Sequence, residues 1–267
     1  MITELTPEQE ALIPVVRDKW RKIALDSSST DKTKAEVAIN NLYQSANFKT
    51  PEIIWFDNPV DACLWLGEKS DSDLINLVPI EWSVICDGYG FVKNNLHIYL
   101  KQKLGYYTHF SETIYDVLVS TSKECLLDRE WFYFQHILGR YSLDIYDDVI
   151  CANYYDMVDI GYRGEKKNWE KIAKKLGFGL WWAFIDIAVV TIKPSITRFD
   201  NNLRLHADGK IAFQYEQPSI ITEEKLEIYA YHGSIIPEKY GFIKYENWQP
   251  QWLAKEKDSK LKWILAK

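Results

Sequence analysis

No hydrophobic stretch in the 267 residues approaches the ~20 that a membrane-spanning helix needs, and the longest candidate, Phe184–Ile192, is interrupted by Asp186. A membrane protein is not expected. The start, Met1-Ile2-Thr3-Glu4-Leu5, has no basic segment leading into an apolar one, so no secretory signal is read there and the expected location is cytoplasmic. The four cysteines, Cys63, Cys86, Cys125 and Cys151, include no Cys-x-x-Cys pair and lie in apolar or aromatic surroundings. They read as buried free thiols rather than a disulfide framework or a zinc site. Also missing are a phosphate-binding Gly-x-x-x-x-Gly-Lys-Ser/Thr loop, Gly-x-Gly-x-x-Gly, His-Glu-x-x-His, Gly-x-Ser-x-Gly and an EF-hand loop, so no standard enzyme signature is present. None of the five histidines, His97, His109, His136, His206 and His232, pairs at the spacing of a helical metal site, and no cofactor is expected.

An excess of positive charge is absent too. Lys and Arg number 32 against 38 Asp and Glu, a formal charge of −6, which disfavours a dedicated nucleic-acid binder. What is present is a globular composition, 47% hydrophobic and 26% charged, long enough for one large domain or two small ones with a self-sufficient core. With 11 Trp, 17 Tyr and 11 Phe, the chain can build both a thick core and a stacking surface.

Local patterns order the chain. Thr6-Pro7-Glu8-Gln9 is a capping box with proline at the first helical position, predicting a helix from Pro7 to Leu25 that buries Leu12, Val15, Val16, Trp20 and Ile23 and bends near Pro14. Thr30 or Asp31 caps a second helix through Ala35, Ala38, Ile39, Leu42 and Tyr43. The β-branched and aromatic run at 52–56 predicts a strand, and Asn58-Pro59 opens a further helix. Helices are expected near 96–104, 113–119 and 131–138, and an amphipathic one over 165–177 whose Lys166, Lys171, Lys174 and Lys175 form a solvated face. Beyond Asp186 the pattern turns extended: a buried strand at 187–192, then strands near 195–199, 203–206, 210–215 and 225–231 separated by hairpin-sized turns, a further turn at His232-Gly233 and a terminal helix from Trp252. The expected fold is α+β: a largely helical portion over 1–176, with a short strand near 52–56, packed on an antiparallel β-meander with a C-terminal tail over 177–267, the two sharing one core.

Polar residues concentrate near that meander. On an extended strand Arg204 and His206 project from the same face, a cation beside an imidazole, which suits a carboxylate or phosphate. The structural alternative has His206 meeting a turn carbonyl and Arg204 pairing with Asp208 or Asp186. His232 and Tyr231 stand at the next turn, Trp181 and Trp182 offer a stacking wall, and Asp186 is a carboxylate between two isoleucines.

The ordered set Trp181-Trp182-Ala183-Phe184, Ile187–Pro194, Arg204-Leu205-His206-Ala207-Asp208-Gly209 and Tyr229-Ala230-Tyr231-His232-Gly233 with Pro237 resembles a bacterial family of domains of unknown function, as do the opening Leu5-Thr6-Pro7-Glu8-Gln9 and Pro51-Glu52-Ile53-Ile54. That family often carries Gly-Pro-Ala after its histidine, where this chain has Gly209-Lys210-Ile211-Ala212. The resemblance implies the α+β arrangement and marks these residues without naming a reaction. The resulting expectation is a recognition or accessory protein that binds a protein, peptide or small anionic ligand near Arg204, Trp181, Trp182 and Tyr231. Its rival is a hydrolase or transferase for a phosphorylated or carboxylate substrate, with His206 or His232 as acid/base and Asp186 orienting.

Overall fold

The computed structural model describes residues 4–24, 26, 28–72, 99–100, 103–104, 117–118, 154, 171, 174–175, 179–202 and 204–266. The helices expected near 96–104, 113–119, 131–138 and 165–177 lie, apart from a few helical positions, outside the described residues.

Helix α1 spans Pro7–Ala24. Its capping box forms as the sequence predicts: the Thr6 amide donates to Gln9 Oε1 at 3.0 Å and the Gln9 amide to Thr6 Oγ1 at 3.3 Å. The helix runs through Pro14, and its buried stripe is Ile13, Val16 and Trp20, while Val15 is exposed. Of the expected face Val16 and Trp20 are buried and Leu12 and Ile23 pack against the core, while Ile13 takes the place expected of Val15. Helix α2, Lys32–Ser45, is capped by the Asp31 carboxylate, which accepts from the Lys34 amide. It buries Ala35, Ala38, Ile39, Leu42 and Tyr43, the five residues the periodicity selects.

Strand β1 (Glu52–Phe56) is followed by α3 (Pro59–Ser72), β2 (Trp181–Ala183) and β3 (Ile187–Thr191). These strands form a mixed sheet in the order β1-β3-β2, with β1 parallel to β3 (Trp55 opposite Val190) and β2 antiparallel to it (Trp182 opposite Val189). A central strand covered on both faces favours apolar residues, and Ala188, Val189 and Val190 are each 0% exposed, while the buried Thr191 hydroxyl donates to the Leu180 carbonyl. The Tyr43 hydroxyl donates to the Phe184 carbonyl at 2.8 Å and so seats α2 on the β2–β3 turn. After β3, the buried Lys193 ammonium reaches Asp26 Oδ2 at 2.7 Å, and its amide donates to Thr30 Oγ1, tying the α1–α2 connection to the sheet.

The second sheet is a meander of β4 (Ile196–Thr197), β5 (Phe213–Gln214), β6 (Glu227–Tyr231) and β7 (Ser234–Ile236), in sequence order and antiparallel at every pairing. The architecture is thus α+β, with N-terminal helices and a C-terminal β-meander. The expected strand at 203–206 reduces to one bridge between Phe199 and Leu205, and the strand at 187–192 belongs to the mixed sheet. A single cluster of buried residues includes Trp20, Ile39 and Leu66 from the helices, Trp182 from the mixed sheet, and Phe213 and Ile228 from the meander. A short helix α4 (Glu238–Gly241) follows, and where the sequence predicts one terminal helix from Trp252 there are two, α5 (Pro250–Lys255) and α6 (Ser259–Leu265). Among the described residues no helix is long and apolar enough to cross a membrane.

Candidate functional site

Asp200 organises the surface of the meander. It ends the stretch after β4, and its Oδ1 accepts the amides of Asn202 (2.9 Å) and Arg204 (3.0 Å), closing an Asx-type turn that an Asp-Asn-Asn sequence favours. Its own amide donates to the Arg204 carbonyl at 2.9 Å. Oδ2 meets Arg204 Nε at 2.8 Å and Nη2 at 2.7 Å, and lies 2.7 Å from His232 Nδ1. Burial pushes the Asp200 carboxyl up, but the bonds from His232, Arg204 and the two amides outweigh it and hold the pKa at about 2.

Leu205 is fully buried, so its neighbours Arg204 and His206 project towards the surface, as strand alternation predicts. The other half of the surface comes from the β6–β7 turn. His232 and Gly233 take φ values of +48° and +86°, the two positive values a type I′ hairpin needs. Gly233 is required twice over, since a Cβ there would also stand 3.3 Å from Arg204 Cβ. The Gly233 amide donates to the Leu205 carbonyl (2.8 Å) and the His232 amide to His206 Nδ1 (3.2 Å), which stitches the turn onto the Arg204–His206 segment.

The two imidazoles stack face to face, centroids 4.1 Å apart and planes 7° from parallel. Tyr231 sets its edge against both, at 5.3 Å from His206 and 4.5 Å from His232. Tyr231 in turn meets Tyr245 at 6.2 Å and Trp248 at 5.2 Å. Asp208 Oδ1 fixes this last segment by accepting the Tyr245 amide at 2.7 Å. Five rings thus form one continuous surface with Arg204 at its margin, and Tyr245 is 54% exposed. Burial, then the neighbouring His232, lowers the pKa of His206 below the ordinary histidine value.

Of the residues singled out from sequence, Arg204, His206, Tyr231 and His232 come together here. Asp186 does not: it lies exposed in the β2–β3 turn, makes no bond to either histidine or to Arg204, and instead adds its charge to the burial that raises the Tyr43 phenol pKa. The orienting carboxylate is Asp200, which the sequence marks only as a turn residue four positions before Arg204. Trp181 and Trp182 are 3% and 0% exposed, so neither can serve as a stacking wall for a ligand; both faces of β2 are covered, and alternation buries both rings. His206 accepts a turn amide rather than meeting a carbonyl, and Arg204 pairs with Asp200 rather than Asp208 or Asp186. Cys63 is fully buried, and burial pushes its thiol up into an unreactive state. Among the described residues no group of His, Cys, Asp and Glu has the arrangement of a metal site.

Nothing among protein-family models, curated proteins or solved structures matches this chain. The segments Arg204-Leu205-His206 and Tyr229-Ala230-Tyr231-His232-Gly233 meet in space.

Proposed function

We propose that the chain is a cytoplasmic recognition or accessory protein that takes a peptide segment of a partner, or a small anionic ligand, across the surface of His206, His232, Tyr231 and Tyr245. The observation that carries this reading is the continuity of the five rings beside a fixed guanidinium. Planar rings give stacking area at little entropic cost, and Arg204 offers a carboxylate the donors that Asp200 leaves free. Because Asp200 offsets the Arg204 charge, selectivity on this reading comes from hydrogen-bond geometry more than from net charge, and binding should fall only shallowly with salt.

The test is titration of the labelled protein with inorganic phosphate, acetate and a short peptide of alternating Glu and Phe, followed by amide and ring NMR shifts. Shifts at Arg204, His206, Tyr231, His232 and Tyr245 with saturable binding are expected, weakened about tenfold by Arg204→Met or Tyr245→Ala. Saturable binding elsewhere, or none with any probe at millimolar concentration, overturns the reading.

A second reading is favoured by one distance. With Nδ1 held by Asp200, His232 presents Nε2 as a base beside the His206 ring, the arrangement of a hydrolase or transferase acid/base pair. Turnover of phosphate or carboxylate esters that vanishes in His232→Gln and drops in Asp200→Asn would move the assignment to that class.

A further inference from the structure

The bond between His206 and the His232 amide fixes more than the turn. A neutral imidazole has one donor and one acceptor nitrogen, so a ring that accepts at Nδ1 carries its proton on Nε2. The next proton can go only to Nδ1, the atom that holds the His232 amide. That amide begins the left-handed half of the hairpin turn, where a non-glycine residue at φ +48° relies on surrounding contacts to stay put.

We propose that His206 is a proton-operated latch on the His232–Gly233 turn: protonation of Nδ1 converts the acceptor into a donor facing a second donor, breaks the bond to the His232 amide and releases the stacked ring surface. The inference rests on the proposed recognition reading only for its effect on binding. The latch itself is a property of the turn.

Every charged neighbour of the ring bears on it. From its own segment come Arg204, which opposes protonation, and Asp208, which favours it; Asp200 favours it from the preceding turn; the stacked His232 opposes it; and Tyr231 packs its edge against the ring from β6. Burial opposes protonation most strongly and lowers the ring's pKa below the ordinary histidine value. The latch is accordingly closed at alkaline pH and opens on acidification. The neighbouring histidine is held by a different contact, its Nδ1 2.7 Å from Asp200 Oδ2. The Gly233 amide stays on the Leu205 carbonyl in both states, so opening is confined to the turn and its rings.

The experiment uses the full chain labelled with ¹⁵N. Imidazole spectra and amide exchange are recorded from about pH 8 to about pH 5 for wild type, His206→Asn and His206→Ala. Asparagine places Oδ1 where Nδ1 stands and does not titrate. In wild type, opposite tautomers for His206 and His232 are expected at the alkaline end, and protection of the His232 amide should fall about tenfold or more as the His206 ring titrates. His206→Asn should hold that protection across the range, and His206→Ala should lack it throughout. Protection that persists through the His206 titration overturns the latch, as does the same fall in His206→Asn. The Glu-Phe peptide, titrated at the alkaline end, separates the two claims. If the latch operates and the peptide does not bind, the recognition reading fails alone; if the peptide binds equally on both sides of the His206 titration, the latch does not regulate that surface.

Discussion

The mixed sheet and the meander solve the same folding problem by different means. In β1-β3-β2, strands of three to five residues pack with β2 and most of β3 buried, and Val189, Val190 and Trp182 meet no solvent. In the meander, β4 and β5 are two residues long, and flanking backbone bonds such as Ser195 amide to Gln214 carbonyl and Ala212 amide to Ile228 carbonyl continue their ladder. The turns around it are held by polar side chains bonded to backbone amides: Asp200 on its own turn, His206 on the next hairpin, and Asp208 on the segment beyond. A region held by volume tolerates polar change at its rim, whereas a region held by single carboxylates and imidazoles responds to pH and carries its polar groups at the surface, where a ligand can reach them.

The largest expected effect breaks the first region. Trp182→Ala removes a fully buried indole from the sheet and should cost about 3–5 kcal/mol, a large fraction of a typical domain's stability, read as a lowered midpoint in a urea titration. Asp200→Ala tests the second region and should cost about 2–3 kcal/mol, because two amides, the guanidinium and His232 lose their acceptor together. The pH dependence has a definite sign. The Asp200 pKa is about 2 in the fold against 3.8 ordinarily, so its contribution is complete above the ordinary value and is lost as pH falls towards 2. Wild type should therefore lose stability over that acid window more steeply than Asp200→Ala does. His206, with a depressed pKa, contributes stability that is present above the ordinary histidine value and declines as pH falls through its own.

The first region was the more legible of the two. Capping at Thr6 and Asp31, the α2 stripe and the bounds of β1 follow from local rules that involve residues a few positions apart. Asp200 illustrates what such rules miss. Its role depends on His232, thirty-two positions away, and on the Arg204 side chain folding back along the surface onto it, neither of which is visible in Asp-Asn-Asn. Asp186 stands out in the sequence as a carboxylate between two isoleucines, yet a turn placed there lets it stay in water. The tryptophans were misread for a related reason: alternation puts one ring on each face, and which faces are covered is decided by α2 and the rest of the core. That Arg204 and His206 share a face, and that His232-Gly233 turns the chain, is legible because strand alternation and turn chemistry are local.

Gly233→Ala sharpens the comparison further, since it tests backbone conformation with no loss of buried volume. At φ +86°, with the new Cβ 3.3 Å from Arg204 Cβ, it should cost about 1–2 kcal/mol, measured as a shift in the urea midpoint with an unchanged slope. Gly67→Ala within α3, by contrast, lies in a helix on the mixed-sheet side, where any penalty would come from packing rather than from the backbone.

The smallest effect is expected where the two regions meet. The first turn of α3 reaches the β5–β6 loop through Asp61, which accepts from the Ser219 hydroxyl and from the Ile220 amide at 3.1 Å, while Ser219 Oγ accepts the amides of Ile221 and Thr222. This buried cluster fixes the loop backbone, yet Ile220 points outward and is 88% exposed. An exposed side chain on a loop whose backbone is already satisfied has little to contribute to folding, so Ile220→Ser should change stability by no more than about 0.5 kcal/mol. Asp61→Ala, which leaves the hydroxyl and an amide without their acceptor, should cost about 1–3 kcal/mol and expose the loop to protease. If Ile220→Ser proved as damaging as Asp61→Ala, the loop would be held by its apolar tip, and the division between a region held by volume and one held by polar pins would fail at the seam where the two regions join.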